Sequence, residues 1–301
     1  MKGLLLIDKP SGMTSYGVVA RVKRILGEKR VGHTGTLDPM ATGVLPIFVG
    51  RATVLSSYLL ESDKTYIAVF RFGTKTDTGD ITGKVISSST NLPDAESVCS
   101  AFAKFTGNIN QVPPMFSAIK KDGVPMYKLA RQGGTADLPA RNVTVNYIKP
   151  LSDFCDGEIT VEVSCSKGTY IRSLCMDIGD YLGCGATLSA LRRIKTGAFS
   201  IENCLPLENL TAENAAEHIL NAENAVMHLK SVNISDNQAV RFKNGGCLDI
   251  CRLKTDNLTD GQQLRVKCGD TFLGIGQTDL SDGSVKVKCL LEIPCGRDEN
   301  G

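Results

Sequence analysis

The sequence predicts a mixed α/β (α+β) protein carrying a small β-rich C-terminal part. Through about residue 230, stretches with the two-residue alternation of strands are interleaved with stretches at helical spacing. After about Ser231 the texture changes to short strands parted by Gly and Asp turns. The length, 301 residues with 42% hydrophobic and 22% charged side chains, suffices for one large buried core plus a smaller one. The expected division is 1–230, 231–295 and a disordered tail, 296–301.

The elements follow in order. Gly3–Ile7 reads as a short buried strand. Thr14 and Ser15 offer N-cap hydroxyls to a helix over Ser15–Leu26, where Val18, Val19, Val22, Ile25 and Leu26 recur at helical spacing. Gly32, Gly35, Pro39 and Gly43 make Gly27–Gly43 a loop by composition. Val44–Val49 is expected as a strand, Thr53–Leu60 as a helix, and Thr65–Phe72 as an alternating strand entering a Gly-rich hairpin at Asp77–Gly83. A helix over Asp94–Phe105 follows Pro93, and Arg141–Ile148 and Glu158–Ser164 are expected to pair. Tyr170–Leu182 is a helix stopped by Gly183. Leu188–Lys195 mixes apolar and basic residues, and Ala212–Leu229, rich in Ala, Glu and Asn, is expected as a connecting helix.

Several classes are excluded by composition. The N-terminal apolar run, Leu4–Ile7, ends at Asp8, short of the roughly 7–15 residues of a secretory core. No stretch approaches the roughly 18 apolar residues of a membrane span, so a cytoplasmic protein without a membrane partner is expected. The 11 cysteines form no C-x-x-C pair; Cys247 and Cys251 come nearest. Reduced, mostly buried thiols and no metal site are expected. Residues 1–150 carry a net charge of +8 and residues 151–301 a net −6. Such asymmetry fits a face for a polyanion built from the first half, and it also fits chance clustering on a solvated surface.

The densest chemical signal is the run Arg30–Pro46. It places Asp38 on a glycine-rich loop just before a strand, with Pro39 biasing it toward extended backbone. Lys29, Arg30 and His33 are close by in sequence. A carboxylate near basic charge is expected to keep a low pKa and stay ionised, which suits nucleophilic attack better than acid catalysis. Thr-Leu-Asp-Pro is equally good turn chemistry, so the run alone supports both readings. The glycines fit neither phosphate-loop pattern, G-x-x-x-x-G-K-S/T nor G-x-G-x-x-G.

Gly32–Gly43 closely resembles the signature of the TruB family of tRNA pseudouridine synthases. Three further blocks fit in order. Leu5–Ser15, with Asp8-Lys9-Pro10-Ser11-Gly12, looks like the family's opening motif. Asp63–Tyr66 with Gly73 and Thr76–Thr78 looks like its tyrosine strand. Ser166–Leu174 looks like its arginine motif, followed by Gly183–Ala186 and Leu191-Arg192-Arg193. The resemblance spans about residues 3–210. Ser231–Pro294 resembles, more weakly, a small PUA-like RNA-binding domain, best over Val232–Gly246.

The resemblance implies a pseudouridine-synthase fold, with a mixed, largely antiparallel central sheet and a PUA-like C-terminal domain. It implies isomerisation of the uridine at position 55 in the T-loop of tRNA, with no cofactor and no guide RNA, by a monomer. Asp38 matches the catalytic aspartate that attacks the uracil ring or the ribose C1′. Tyr66 matches the tyrosine that stacks on the target base and takes part in removing the C5 proton. Arg172 matches the arginine paired with the carboxylate. Tyr170 and Leu191 match residues lining the uracil pocket, and His33 the histidine entering the space left by flipped nucleotides. Since Trp is absent, Tyr, Phe, His or Arg must supply any stacking platform. The rival readings are a protein that only binds or refolds tRNA and a guide-dependent synthase. Tyr66, Leu191 and Arg172, taken one by one, are ordinary strand packing, core and ion-pair residues.

Overall fold

The computed structural model describes residues 1–117, 119–121, 124–132, 134, 136 and 138–291. The tail expected at 296–301 lies outside them. The chain opens with β1 (Gly3–Lys9), α1 (Ser15–Leu26), β2 (Val31–His33) and β3 (Thr42–Val49). A 3-10 turn at Gly50–Leu55 leads into α2 (Ser56–Leu60), β4 (Lys64–Phe72), β5 (Thr74–Thr76), β6 (Val85–Ser88), α3 (Ala95–Lys104) and β7 (Gly107–Gln111). Next come β8 (Lys120–Lys121), β9 (Val124–Pro125), α4 (Met126–Arg131), β10 (Arg141–Pro150), β11 (Glu158–Cys165), α5 (Ile171–Tyr181) and β12 (Ala186–Thr196). The series continues through β13 (Phe199–Ser200), β14 (Leu205–Pro206), α6 (Ala215–His218), β15 (Lys230–Asn233), α7 (Asp236–Lys243) and β16 (Leu248–Asp249). It ends with β17 (Gln263–Cys268), β18 (Thr271–Asp279) and β19 (Ser284–Leu290). No helix among the described residues is long and apolar enough to cross a membrane.

Most strands join one ten-stranded sheet in the order β14-β1-β3-β12-β4-β11-β10-β7, with β2 on β3 and β13 on β12. Its pairs are antiparallel except β1 with β14 and β3 with β12, so the mixed, largely antiparallel sheet expected from the resemblance is present. On β4, the alternation sends Lys64, Tyr66, Ala68, Phe70 and Phe72 to the buried face. There α3 and α5 pack on them through Val98, Phe102, Leu174 and Ile178. The other half of the sheet buries Leu5, Ile7, Leu45 and Ile47 under α1 through Val18, Val19 and Val22.

Local chemistry accounts for the helix ends. Thr14 Oγ1 accepts the Gly17 N–H at 2.9 Å, and Gly27 closes α1 in the left-handed region. Asp94 caps α3 by accepting the Ser97 N–H at 2.8 Å. Gly183, at φ 74°, follows the last turn of α5. The second sheet, β15-β17-β18-β19-β16, curls around a core of Phe242, Leu264, Val266, Leu273 and Val285. Its α7 carries a full capping box between Ser235 and Gln238. The two sheets share apolar surface: Phe272, Ile275 and Leu291 pack with Leu4, Leu6 and Phe48.

Three expectations change, and Leu188–Lys195, to which the sequence assigns no element, finds its place. Within the Gly27–Gly43 loop, Val31–His33 is a strand, because Val31 buries against the core and its backbone pairs with Val49. The helix expected over Thr53–Leu60 is part 3-10 turn and part α2. Leu188–Lys195 lies in a central strand. The connecting helix over Ala212–Leu229 does not form. Only Ala215–His218 is α-helical, since Leu220 leaves the helix to exchange two backbone hydrogen bonds with Leu4, at 3.0 and 2.9 Å. Tertiary pairing and the burial of Ala222 and Val226 outweigh Ala and Glu propensity.

The segment after that bridge is tied to the second sheet by charge. Glu223 meets Arg265 at 2.6 Å and Lys267 at 3.2 Å, with Glu223 and Arg265 nearly buried. Glu223→Ala should therefore leave a buried guanidinium unpaired and cost about 3–5 kcal/mol of stability. Glu223→Gln, which keeps an acceptor, should cost less. Chemical denaturation of the full chain measures both.

Candidate active site

Asp38 and Arg172 are 134 positions apart in sequence and meet in a fork. Arg172 Nε donates to one carboxylate oxygen of Asp38 at 2.8 Å and Nη2 to the other at 3.0 Å. Arg172 sits in the first turn of α5, its side chain 4% exposed, whereas Asp38 keeps 32%. Arg172 Nη1 donates to the Thr78 carbonyl at 3.0 Å and Nη2 also to that of Phe116 at 2.8 Å. The buried Asp80 carboxylate stands 3.9 Å from Arg172 Nε, held by Thr78 Oγ1 and by the Thr82 backbone and hydroxyl. One always-charged guanidinium thus ties together the Asp38 loop, the turn between β5 and β6, and the segment after β7.

The loop around Asp38 is fixed from its other side by the start of α1. Ser15 Oγ donates to the Leu37 carbonyl at 3.0 Å and accepts the Leu37 N–H at 2.9 Å. Gly12 N–H donates to the Pro39 carbonyl at 2.8 Å. Lys9, wholly buried, directs its ammonium to the carbonyls of Pro10, Met13 and Pro39. Burial lowers its pKa to about 8, with Asp38 pulling the other way.

Arg193, 1% exposed, lies on the other side of the loop. It donates to the carbonyls of Val44 at 2.8 Å and Gly35 at 2.7 Å, and also engages the Tyr66 phenol. Arg193 pairs with Tyr66 across β12 and β4. The loop must pass close to this strand: at Gly43, φ 106°, a Cβ would stand 2.1 Å from the Arg193 carbonyl oxygen.

These contacts decide the ionisation of the site. Burial, with the Asp80 charge beside it, pushes the Asp38 carboxyl above its ordinary value against the opposing pull of Arg172 and Lys9. The low pKa expected from neighbouring basic charge is therefore corrected: desolvation outweighs the attraction. Tyr66 is raised by burial with Arg193 opposing, so its phenol stays protonated at neutral pH. His33 is lowered first by burial and then by Arg193, leaving a neutral ring whose Nδ1 is buried without a hydrogen-bond partner. Burial also raises the Tyr170 phenol.

Of the residues singled out from sequence, Asp38 and Arg172 are in contact. Tyr66 and Leu191 belong with Leu37 and Ala41 to one apolar cluster. Tyr170 directly precedes Ile171, the start of α5, its backbone pinned by Gln111 at 2.7 and 3.1 Å. His33 ends β2, five positions before Asp38 and close enough to feel Arg193. Sequence reading missed Lys9, Asp80 and Arg193. Lys9 and Arg193 stand inside the motif blocks and Asp80 just past one, and a second basic or acidic residue in or beside a block was the available signal.

Two family models match the chain in sequence: the N-terminal domain of TruB family pseudouridylate synthase over residues 23–171 and the tRNA pseudouridylate synthase B C-terminal domain over 172–232. A tRNA pseudouridine synthase B from Burkholderia lata is 42% identical over 281 residues, 92% of this chain and 87% of that one. Its counterpart from Clostridium perfringens is 39% identical over 294 residues, covering 97% and 100%. Among solved structures, a chain of an H/ACA ribonucleoprotein bound to a substrate RNA containing 2′-deoxyuridine superposes with TM-score 0.74 at 25% identity, over 96% of this chain and 85% of its own. A chain of an archaeal box H/ACA small ribonucleoprotein complex gives 0.73 at 26%, over 97% and 86%. Since the two models match adjoining stretches, together residues 23–232, and the relatives are covered over 87% and 100% of their length, the chain belongs to the TruB family of pseudouridylate synthases.

Proposed function

We propose that this chain converts the uridine at position 55, in the T-loop of tRNA, to pseudouridine, with Asp38 as nucleophile. The observation that carries the reading is the carboxylate of Asp38, forked to a buried arginine beside the apolar cluster of Tyr66 and Leu191. A uridine stacked in a loop must swing out first, at a cost of a few kcal/mol. Tyr66 returns roughly 1–3 kcal/mol of this by stacking on the base. The carboxylate attacks the uracil ring or the ribose C1′ and forms a bond to it, and the N1–C1′ bond breaks. The base turns, C5 joins C1′, the bond to Asp38 is released, and the loss of the C5 proton is balanced by the proton that N1 takes up. Arg172 fixes the direction of attack, since its fork leaves the carboxylate one orientation. Tyr170 and Leu191 bound the uracil pocket, and the neutral ring of His33 fills the gap left in the RNA.

The chemistry involves no net redox change and no group leaving the substrate, so no cofactor enters it. The catalytic work belongs to residues 1–230, and the second sheet, as a PUA-like module, adds binding area. The enzyme works in the cytoplasm as a monomer on bare tRNA. Support for independence from a guide RNA is the greater identity to the relatives named tRNA pseudouridine synthase B, 39–42%, than to the chains from H/ACA complexes, 25–26%.

Release of C5 tritium from labelled tRNA, with no guide RNA, tests the activity. Asp38→Asn should bind tRNA within a few-fold of wild type and release no tritium; release near the wild-type rate would remove Asp38 from the mechanism. The reaction should also show an acid limb. Asp38 attacks only as the carboxylate, and its pKa is raised, so the rate falls with decreasing pH at a value above the ordinary aspartate value of about 3.9. Single-turnover rates at saturating tRNA give this limb directly. A rate still undiminished near pH 4 would contradict the assignment.

A further inference from the structure

A polar cavity of about 820 Å³ lies at the end of β2 and β3 away from the active-site loop. Its walls are the turn after α1, Gly27–Arg30, and the turn after β3, Gly50–Arg51, joined by the Gly50 N–H donating to the Arg30 carbonyl at 2.7 Å. The fit is tight: Gly50 takes φ 63°, and a Cβ there would stand 2.3 Å from the Met1 carbonyl oxygen. We infer that this cavity is a phosphate pocket that holds a backbone phosphodiester of the substrate RNA, apart from the pocket for the uridine.

Charge makes the case. Lys29, Arg30 and Arg51 line the cavity, and among the described residues no carboxylate forms an ion pair with any of the three. The acidic lining residue, Glu28, is already engaged, accepting the Arg30 backbone N–H at 3.1 Å and the terminal ammonium at 3.4 Å. Those contacts hold its carboxyl below the usual range despite some burial. Arg51 Nε is buried without an acceptor, a donor left unsatisfied at a cost to the fold. Two guanidinium groups and an ammonium around a polar space, one with an unmet donor, match the charge of a phosphodiester, and the planar guanidinium fork suits a pair of phosphate oxygens.

Position identifies the source. Arg30 is eight residues before Asp38, so their backbone positions lie at most about 29 Å apart. A strand of RNA with one nucleotide in the active site reaches that far within a few phosphates. The inference rests on the tRNA reading above, and it adds a defined anion subsite outside the reacting nucleotide.

The experiment compares unmodified-tRNA binding by the full-length wild type, Arg51→Gln and the double variant K29Q/R30Q across chloride concentrations, with folding checked by circular dichroism. Loss of one phosphate contact should lower the slope of log affinity against log salt by about 0.7–0.9, so the wild-type advantage shrinks about three-fold between 50 and 200 mM chloride. The defect should appear in the half-saturating tRNA concentration rather than in the rate at saturation. If Arg51→Gln fails to fold, Arg51→Lys and the exposed-site double variant carry the test. Inorganic phosphate at constant ionic strength should compete with tRNA on the wild type and lose that effect in Arg51→Gln. Unchanged slopes in folded variants would overturn the proposal, and so would phosphate binding that leaves tRNA affinity untouched, which would mark a site for the free anion. A wild type that binds tRNA with this slope yet forms no pseudouridine would refute the catalytic reading and leave the pocket standing.

Discussion

An arginine cannot shed its charge, so burying one obliges the fold to surround it with acceptors. Arg172 imposes that condition on this protein. Its guanidinium is satisfied only when the Asp38 loop, the turn carrying Thr78 and Asp80 and the carbonyl of Phe116 all arrive around the first turn of α5. The same contacts that satisfy the cation therefore assemble the site. A misplaced loop leaves a buried charge partly unpaired, at a cost of several kcal/mol, so the productive arrangement is also the stable one.

The site is rich in buried cations. Lys9 and Arg193 flank the loop, and Lys64 is driven to about 8 by burial and then by Arg193. None of the three has a buried carboxylate partner of its own among the described residues; backbone carbonyls accept their hydrogen bonds. Dipoles fixed in this way cost no reorganisation when charge shifts onto a substrate. The opposed pulls on Asp38 have a further effect. Burial weakens the hold of bulk water on the carboxylate, while Arg172 orients it, and a less solvated carboxylate is the better nucleophile.

Much of the site was legible because its residues sit in compact blocks. Asp38 stood out through its glycines and Pro39, and Arg172 through the Ser166–Leu174 block, although nothing local shows that two positions so far apart touch. Burial was not legible, and so the direction of the Asp38 shift was misjudged. The central strand β12 escaped notice for a geometric reason. Register shifts between Leu188 and Ala190 and between Arg193 and Lys195 break the two-residue alternation that betrays a strand. The region 212–229 failed the opposite way: its composition is helical, but Leu220 is needed as a backbone partner for Leu4. Local preference was readable there, and the long-range demand on it was not.

The sheet order has a consequence for synthesis. β3 and β4 are neighbours in the chain but not in the sheet; β12, made more than a hundred residues later, inserts between them. Until the ribosome has delivered Ala186–Thr196, the nascent chain holds two half-sheets with facing unpaired edges, the form most exposed to mispairing. The arriving strand brings Leu191 and Arg193, and α5 with Arg172 emerges just before it. The carboxylate of Asp38 is thus translated 134 residues before Arg172. A ribosome-bound fragment ending before β12 presents the loop without the pocket, so the order of translation itself keeps an incomplete site from acting on RNA.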